Sequence, residues 1–271
     1  MELTEVRQEV FPLDDGLHRL MQYDSNGTFV DSYLIIGSTQ ALAVDLQRAK
    51  GSLLAAIREL TNKPLTVVIT HGHYDHLGAN TREFVDNGIP VWISLAEYEA
   101  FRSEISTVLG DRSDPPFRFL TQGQNFDLGG YKLETGFLSG HTPRGCMLLE
   151  RNKGWLFSGD ALGNRSFYMQ VPGASSLESF HKSLEEYLKT VRSVPNLKIF
   201  TGHGIGETYY GLSWAEQICA LTGEIINGKR HGVYTLGRWG ECLRLDTEIF
   251  PEGYLYQADR ILDTHPEAER P

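Results

Sequence analysis

Between His71 and His76 the chain carries His71, His73, Asp75 and His76, three imidazoles and a carboxylate within six consecutive positions, directly after an apolar run that begins at Leu65. Imidazole nitrogen and carboxylate oxygen together suit zinc, iron or manganese. Two histidines one residue apart can share one ion while the Asp75-His76 pair turns toward another. A solvated histidine pair is the ordinary alternative, but four donors in so short a stretch specify a metal loop much more narrowly. The arrangement recurs downstream. Gly140-His141, Gly159-Asp160 and Gly202-His203 each place a donor beside a glycine at the end of an apolar stretch, and Asp45 ends the run Ala41-Leu42-Ala43-Val44 as either a loop cap or a supporting carboxylate. His71, His73, Asp75, His76, His141, Asp160 and His203 are enough to fill two ions, with one carboxylate shared and room left for a water.

The elements that must position these donors follow from periodicity. Ser32–Ile36 and Ala41–Val44 read as a hairpin, Gly51–Leu60 as an amphipathic helix, and Leu65–Thr70 as a buried strand that presents the donor cluster on a loop at its carboxyl end. Ala79–Asp86 and Leu95–Arg102 read as helices around a short strand, Val91–Ile93. Ser103–Pro116 is expected to be irregular, and it and 163–175 are candidate substrate-covering loops. Strands are expected at Tyr131–Leu138, Cys146–Glu150, Trp155–Phe157 and Leu197–Phe200. Leu177, Phe180, Leu184, Tyr187, Leu188 and Val191 mark one face of a helix over Leu177–Val191, and Ser213–Asn227 reads as another. A last strand or ordered extension is expected over Gly253–Ile261, with a frayed end.

Helices alternating with strands imply an α/β fold. We read residues 1–271 as one domain, with 231–271 a C-terminal extension of it. An apolar content of 41% and a charged content of 22% are those of an ordinary globular protein, and the net charge of −10 argues against a dedicated nucleic-acid binder. Cys146, Cys219 and Cys242 are widely spaced without a CxxC pair, which suits reduced thiols in the cytoplasm. The start at Met1 is acidic and no long apolar stretch follows, so neither a secretion signal nor a membrane span is expected.

With HGHYDH at 71–76, GHTP at 140–143, SGD at 158–160 and GH at 202–203, the sequence resembles the metallo-β-lactamase superfamily from about Ser32 to His203. The resemblance implies a four-layer αββα sandwich. It implies His71, His73 and His141 on a first metal, Asp75, His76 and His203 on a second, Asp160 bridging them, and Asp45 supporting the ligand loop from behind. An Asp bridge is similar to glyoxalase II and the lactonases rather than to the zinc β-lactamases, which carry Cys there. The cofactor implied is two zinc ions, with iron or manganese as alternatives. The reaction implied is attack by a metal-bridging hydroxide on a small ester, thioester or lactone, with Asp75 carrying the proton to the leaving group. A mononuclear iron persulfide dioxygenase and a phosphodiesterase are the alternatives.

Substrate contacts must come from outside the ligand set. Arg144, which interrupts the usual GHTPG, and Arg165 and Tyr168 are the candidates for a small-molecule substrate. Tyr209, Tyr210, Trp214, Trp239, Tyr254 and Tyr256 are expected to wall a pocket, to pack in the core or to serve a homodimer contact. His18, His181, His231 and His265 have no ligand-like surroundings and read as surface or packing residues.

Overall fold

A computed structural model describes residues 7–23, 29–47, 51–110, 116–204 and 209–263. His265, the frayed end and residues 111–115 of the expected 103–116 loop lie outside these residues. The first sheet takes its strands in chain order: β1 (Arg7–Asp14), β2 (Leu17–Tyr23), β3 (Phe29–Ile36), β4 (Ala41–Val44), β5 (Leu65–Val68), β6 (Val91–Ile93) and β7 (Phe117–Phe119). β1 to β4 pair antiparallel, and β4 to β7 run parallel, so the carboxyl ends of β4 and β5 share one edge. The helices α1 (Leu53–Leu60), α2 (Tyr74–Leu77), α3 (Thr81–Asp86), α4 (Leu95–Ala100) and α5 (Arg102–Leu109) fall between these strands. The second sheet contains β8 (Asn125–Asp127), β9 (Lys132–Leu138), β10 (Gly145–Glu150) and β11 (Trp155–Gly159), with β13 (Lys198–Thr201) parallel to β11 at its edge. Helices α6 (Leu177–Val191) and α7 (Leu212–Ile226) cover it.

The layering follows from side-chain alternation in the central strands. In β10, Cys146 and Leu148 point into the core between the two sheets, while Met147 and Leu149 point under α6 and α7. In β4, Leu42 and Val44 share that inter-sheet core, while Ala41 and Ala43 face Leu53 and Ile57 of α1. Strands covered on both faces read as unbroken apolar runs, which is why 41–44 and 146–149 lack the polar alternation of a half-exposed sheet. Three apolar layers, one between the sheets and one under each helical face, make the αββα sandwich.

α6 has the expected bounds. The Ser176 hydroxyl accepts the Ser179 N–H at its start, and the six apolar residues of its face are buried. The expected irregular stretch after 102 is instead α5, whose Ile105, Val108 and Leu109 are buried at helical spacing. Ser and Thr within it and Gly110 after it masked that short repeat. The tail beyond 231 is more regular than expected: β14 (Val233–Gly237), β15 (Gly240–Leu245) and β16 (Tyr254–Tyr256) form a third sheet with β12 (Phe167–Met169). Phe250, Tyr254 and Tyr256 of this region are fully buried in the core under α6 and α7. Among the described residues, no helix is long and apolar enough to cross a membrane.

Candidate metal centre

Every donor predicted from sequence follows a strand, and the strands concerned end on one edge of the sandwich. Asp45 follows β4, His71 follows β5, His141 follows β9, Asp160 follows β11 and His203 follows β13. His73 caps α2, and that single turn carries Asp75 and His76 back toward the strand ends rather than leaving them on an open loop. The ligand atoms of His71, His73 and His141 lie within 4.8 Å of one another, as do those of Asp75, His76 and His203, and those of His71, His76 and Asp160. The Asp160 carboxylate touches both groups: it lies 3.3 Å from His76 Nε2, 3.3 Å from His203 Nε2 and 3.7 Å from His141 Nε2.

Proton placement suits this site to a cation. The His76 Nδ1–H donates to Asp45 Oδ2 at 2.8 Å, and the His141 Nδ1–H donates to the Tyr168 carbonyl at 2.7 Å. Thr70 Oγ1 donates to Asp45 Oδ2 at 2.8 Å, so it accepts from His71 Nδ1 at 3.0 Å. In His71 and His141 the Nε2 lone pair is left facing inward, and His71 Nε2 is buried with no hydrogen-bond partner. His141 Nε2 also meets His73 Nδ1 at 3.0 Å. Converging lone pairs without protons between them are costly unless a cation lies among them, so this donor set fits divalent metal.

The electrostatics divide the set. Burial, reinforced by the neighbouring imidazoles His76 and His73, pushes His71 well below its usual range, and burial with His141 lowers His73 to about 3. Burial would depress His76 too, but the carboxylates of Asp160 and Asp45 outweigh it and raise it to about 10. Burial works against ionisation of Asp75, yet the hydrogen bond from His203 and the nearby imidazoles hold it well below the usual carboxylate range. A pH dependence follows for the chelator-treated protein. Because His73 is lowered in the folded state, the unfolded chain takes up that proton first. Stability therefore falls as pH drops from 6.5 toward about 3. His73→Asn is expected to flatten that slope by up to about 1.4 kcal/mol per pH unit, as one proton allows. Urea unfolding at pH 4, 5 and 6 reads this directly, and coincident slopes would refute it.

Besides Asp45, which the sequence pointed to, several residues that hold the centre in place have no sequence signature. Asp45 also accepts the Thr70 N–H at 2.7 Å, and it sits at φ +61°, a conformation that side chains other than glycine seldom adopt. Glu97, fully buried on α4, accepts the Gly72 N–H at 2.9 Å and the Arg144 N–H at 2.8 Å, joining the two loops that carry His71, His73 and His141. Buried Arg19 and Asp31 pair at 2.8 Å, and Asp31 accepts the Gly204 N–H at 2.8 Å, fixing the loop of His203. At Gly202 a Cβ would lie 2.4 Å from His76 Cε1 and 2.5 Å from Asp160 Oδ1. Gly202→Ala is therefore expected to fold but to bind metal about 10–100-fold more weakly, the loss typical of a displaced outer partner. Metal content after dialysis, with a melting curve as control, checks it.

The centre opens into a cavity of about 620 Å³ lined by His73, Asp75, His141, Asp160 and His203 with Phe101, Tyr168, Gln170 and Trp239. Tyr168 stands on its wall as expected, but Arg144 and Arg165 do not. The Arg144 guanidinium lies over the Phe137 ring at 4.5 Å, and Arg165 pairs with Glu252 at 2.6 Å. Those partners are remote in sequence and invisible from the local motif. Of the six C-terminal aromatics, Trp239 lines the cavity. Tyr210 stacks on Trp214, whose indole N–H donates to the Leu162 carbonyl, while Tyr254 and Tyr256 belong to the core. Tyr209 is exposed. His231 is exposed, and His18, partly buried on β2, is lowered by that burial. His181 has more company than expected, with Cys219 Sγ at 3.5 Å and Glu185 at 3.7 Å, between α6 and α7 and apart from the cavity.

Comparison with known proteins places this geometry. Residues 26–203, well over half of the chain, match the family model of the metallo-beta-lactamase superfamily. The chain belongs to the metallo-β-lactamase superfamily. Within that superfamily it is 31% identical over 162 residues to the hydroxyacylglutathione hydrolase of Legionella pneumophila strain Corby, covering 60% of this chain and 56% of that enzyme. The chain thus spans little more than half the length of that relative. It is 24% identical over 245 residues to the acyl-coenzyme A thioesterase MBLAC2 of Gallus gallus, covering 80% of this chain and 85% of the other. Among solved structures, a metallo-beta-lactamase from Pontibacter korlensis superposes with a TM-score of 0.64 at 20% identity, covering 80% of this chain and 99% of that one, which shows the shared fold.

Proposed function

We propose that this protein is a dinuclear metal-dependent hydrolase of small thioesters. The observation that carries the reading is Asp160, whose two carboxylate oxygens reach imidazoles of both donor groups. His71, His73 and His141 would hold one divalent cation, zinc by preference, Asp75, His76 and His203 the other, and Asp160 both. Such a pair, when bound, supplies a water acidified to near neutral pH and a Lewis acid for a carbonyl oxygen. Asp45 supports this set through His76, and through Thr70 it fixes the ring orientation of His71.

Asp75 lines the cavity and is held ionised, so its part is to accept a hydrogen bond from the attacking water and aim it. Phe101, Val171, Pro172 and Leu255 give the cavity an apolar wall that excludes bulk water from an acyl chain. The thioester preference is supported by the two hydrolases named above, each of which bears a thiol-ester substrate class in its name. The reading places the protein in the cytoplasm, which the free, buried state of Cys146, Cys219 and Cys242 supports.

The test is metal content per chain on protein purified without added metal, followed by turnover of a hydroxyacylglutathione and an acyl-coenzyme A. Close to two divalent ions and thioester cleavage are the expected results. One iron per chain with oxygen uptake on a thiol persulfide, or failure to cleave either thioester after zinc loading, would overturn the proposal.

A further inference from the structure

Gln170 lines the cavity, is only 2% exposed, and carries both amide atoms, Nε2 and Oε1, without a hydrogen-bond partner. Buried polar groups are almost always paired, so a doubly unpaired amide on a cavity wall requires an explanation. Its backbone is held rigidly. Arg260 donates to the carbonyls of Gln170 at 3.2 Å, Val171 at 3.4 Å and Ala174 at 3.0 Å, and the Tyr168 carbonyl two residues earlier receives the His141 Nδ1–H. The amide is therefore carried on the same extended segment that orients a metal-centre imidazole.

Above it lies the tip of the β14–β15 hairpin. The turn comes close to the amide, since a Cβ on Gly237 would lie at ordinary contact distance, 3.9 Å, from Gln170 Nε2. Arg238 and Trp239 of the same tip line the cavity. The Trp239 ring packs edge-on to Tyr168 at 5.8 Å, and the Arg238 guanidinium lies 5.3 Å from the Trp239 ring centre. Trp239 and Tyr168 are 42% and 38% exposed, an apolar pair at the mouth with unpaired donor and acceptor beneath it.

A primary amide offers one acceptor and a donor, the complement of a secondary amide, which presents an N–H and a C=O in turn. We propose that Gln170, roofed by Trp239 and Arg238, is a specificity subsite that pairs with a secondary amide in the thiol half of the substrate. The assignment rests on the thioesterase reading. It narrows the substrate class to thioesters of amide-bearing thiols, with Arg238 placed to meet an anionic group farther along the same carrier. Glutathione and coenzyme A both have that chemistry and differ in size and in carboxylate against phosphate charge.

Uncleavable thioethers test the subsite separately from hydrolysis. Calorimetric binding of S-hexylglutathione and S-hexyl-coenzyme A to the metal-loaded protein is compared with 2-(hexylthio)ethanol, which has no amide. Gln170→Leu is expected to weaken the tighter of the two amide-bearing probes about tenfold or more, to leave the amide-free probe unchanged, and to raise Tm, because it removes unpaired buried groups. Trp239→Ala, at an exposed position that the fold tolerates, is expected to weaken the same probe. Arg238→Ala is expected to weaken it also, and which thioether binds tighter names the carrier. Equal loss on the amide-free probe, unchanged binding in Gln170→Leu and Trp239→Ala, or no advantage of either amide-bearing probe would overturn the subsite. Failure of the hydrolase reading would appear differently, as absent thioester turnover in the unaltered protein whatever the thioethers do.

Discussion

Asp160→Ala is expected to strip metal from the centre and to lower thioester kcat/KM by more than about 100-fold, beyond the range seen for outer partners of a metal ligand. The reason is its position. Asp160 stands 3.3 Å from His76 Nε2 and from His203 Nε2 and 3.7 Å from His141 Nε2, so its loss removes a donor from both groups at once. It also removes the charge that, after burial, contributes most to raising His76 and His203. Those imidazoles then lose their protons more readily in the metal-free protein, and their lone pairs crowd one another. The packing around Asp160 is independent of the carboxylate, since Phe157 and Leu162 on either side are fully buried in separate apolar layers. The variant should keep the circular dichroism of the parent. Asp160→Asn, which keeps the shape and one acceptor, should retain more metal than Asp160→Ala. Metal analysis alongside turnover decides the matter: full metal content and full activity in the alanine variant would remove Asp160 from the centre.

Glu97→Leu is expected to cost about 1–3 kcal/mol of stability, because it leaves the Gly72 N–H buried and unpaired, while the N–H of Arg144, an exposed residue, can turn to water. Glu97 lies outside the cavity wall and acts by positioning. Its two oxygens join the loop of His71 and His73 to the loop of His141, which arise from β5 and β9 in different sheets. Releasing that clamp should loosen metal binding as well as the fold. Glu97→Gln retains one carbonyl acceptor and is expected to fall between the parent and Glu97→Leu in both respects. Denaturant unfolding of the metal-free proteins reads the first effect, and competition with a chelator reads the second. A Glu97→Leu protein as stable as the parent would show that the clamp carries no energy, and one that is destabilised but binds metal normally would reduce Glu97 to a fold residue.

The sequence alone determined what is local. Donor types and spacing at 71–76, and the single donors at 141, 160 and 203, are written next to the strands that present them, because a strand end, a glycine and a ligand are neighbours along the chain. The face of α6 and the unbroken apolar runs of β4 and β10 were legible for the same reason, since helical and strand periodicity are short-range signals. α5 was lost because its apolar repeat spans only Ile105, Val108 and Leu109. Tertiary structure decided everything that depends on partners far apart in sequence. Glu97 meets Gly72 and Arg144, Asp31 meets Gly204, and Gln170 meets the hairpin tip at Gly237 only after the layers have stacked. The same holds for Arg144 and Arg165, whose charge pointed to a substrate until folding supplied Phe137 and Glu252 as partners. A guanidinium or carboxylate carries no local mark of its eventual partner, because its free energy is set by the burial and charge that packing brings to it.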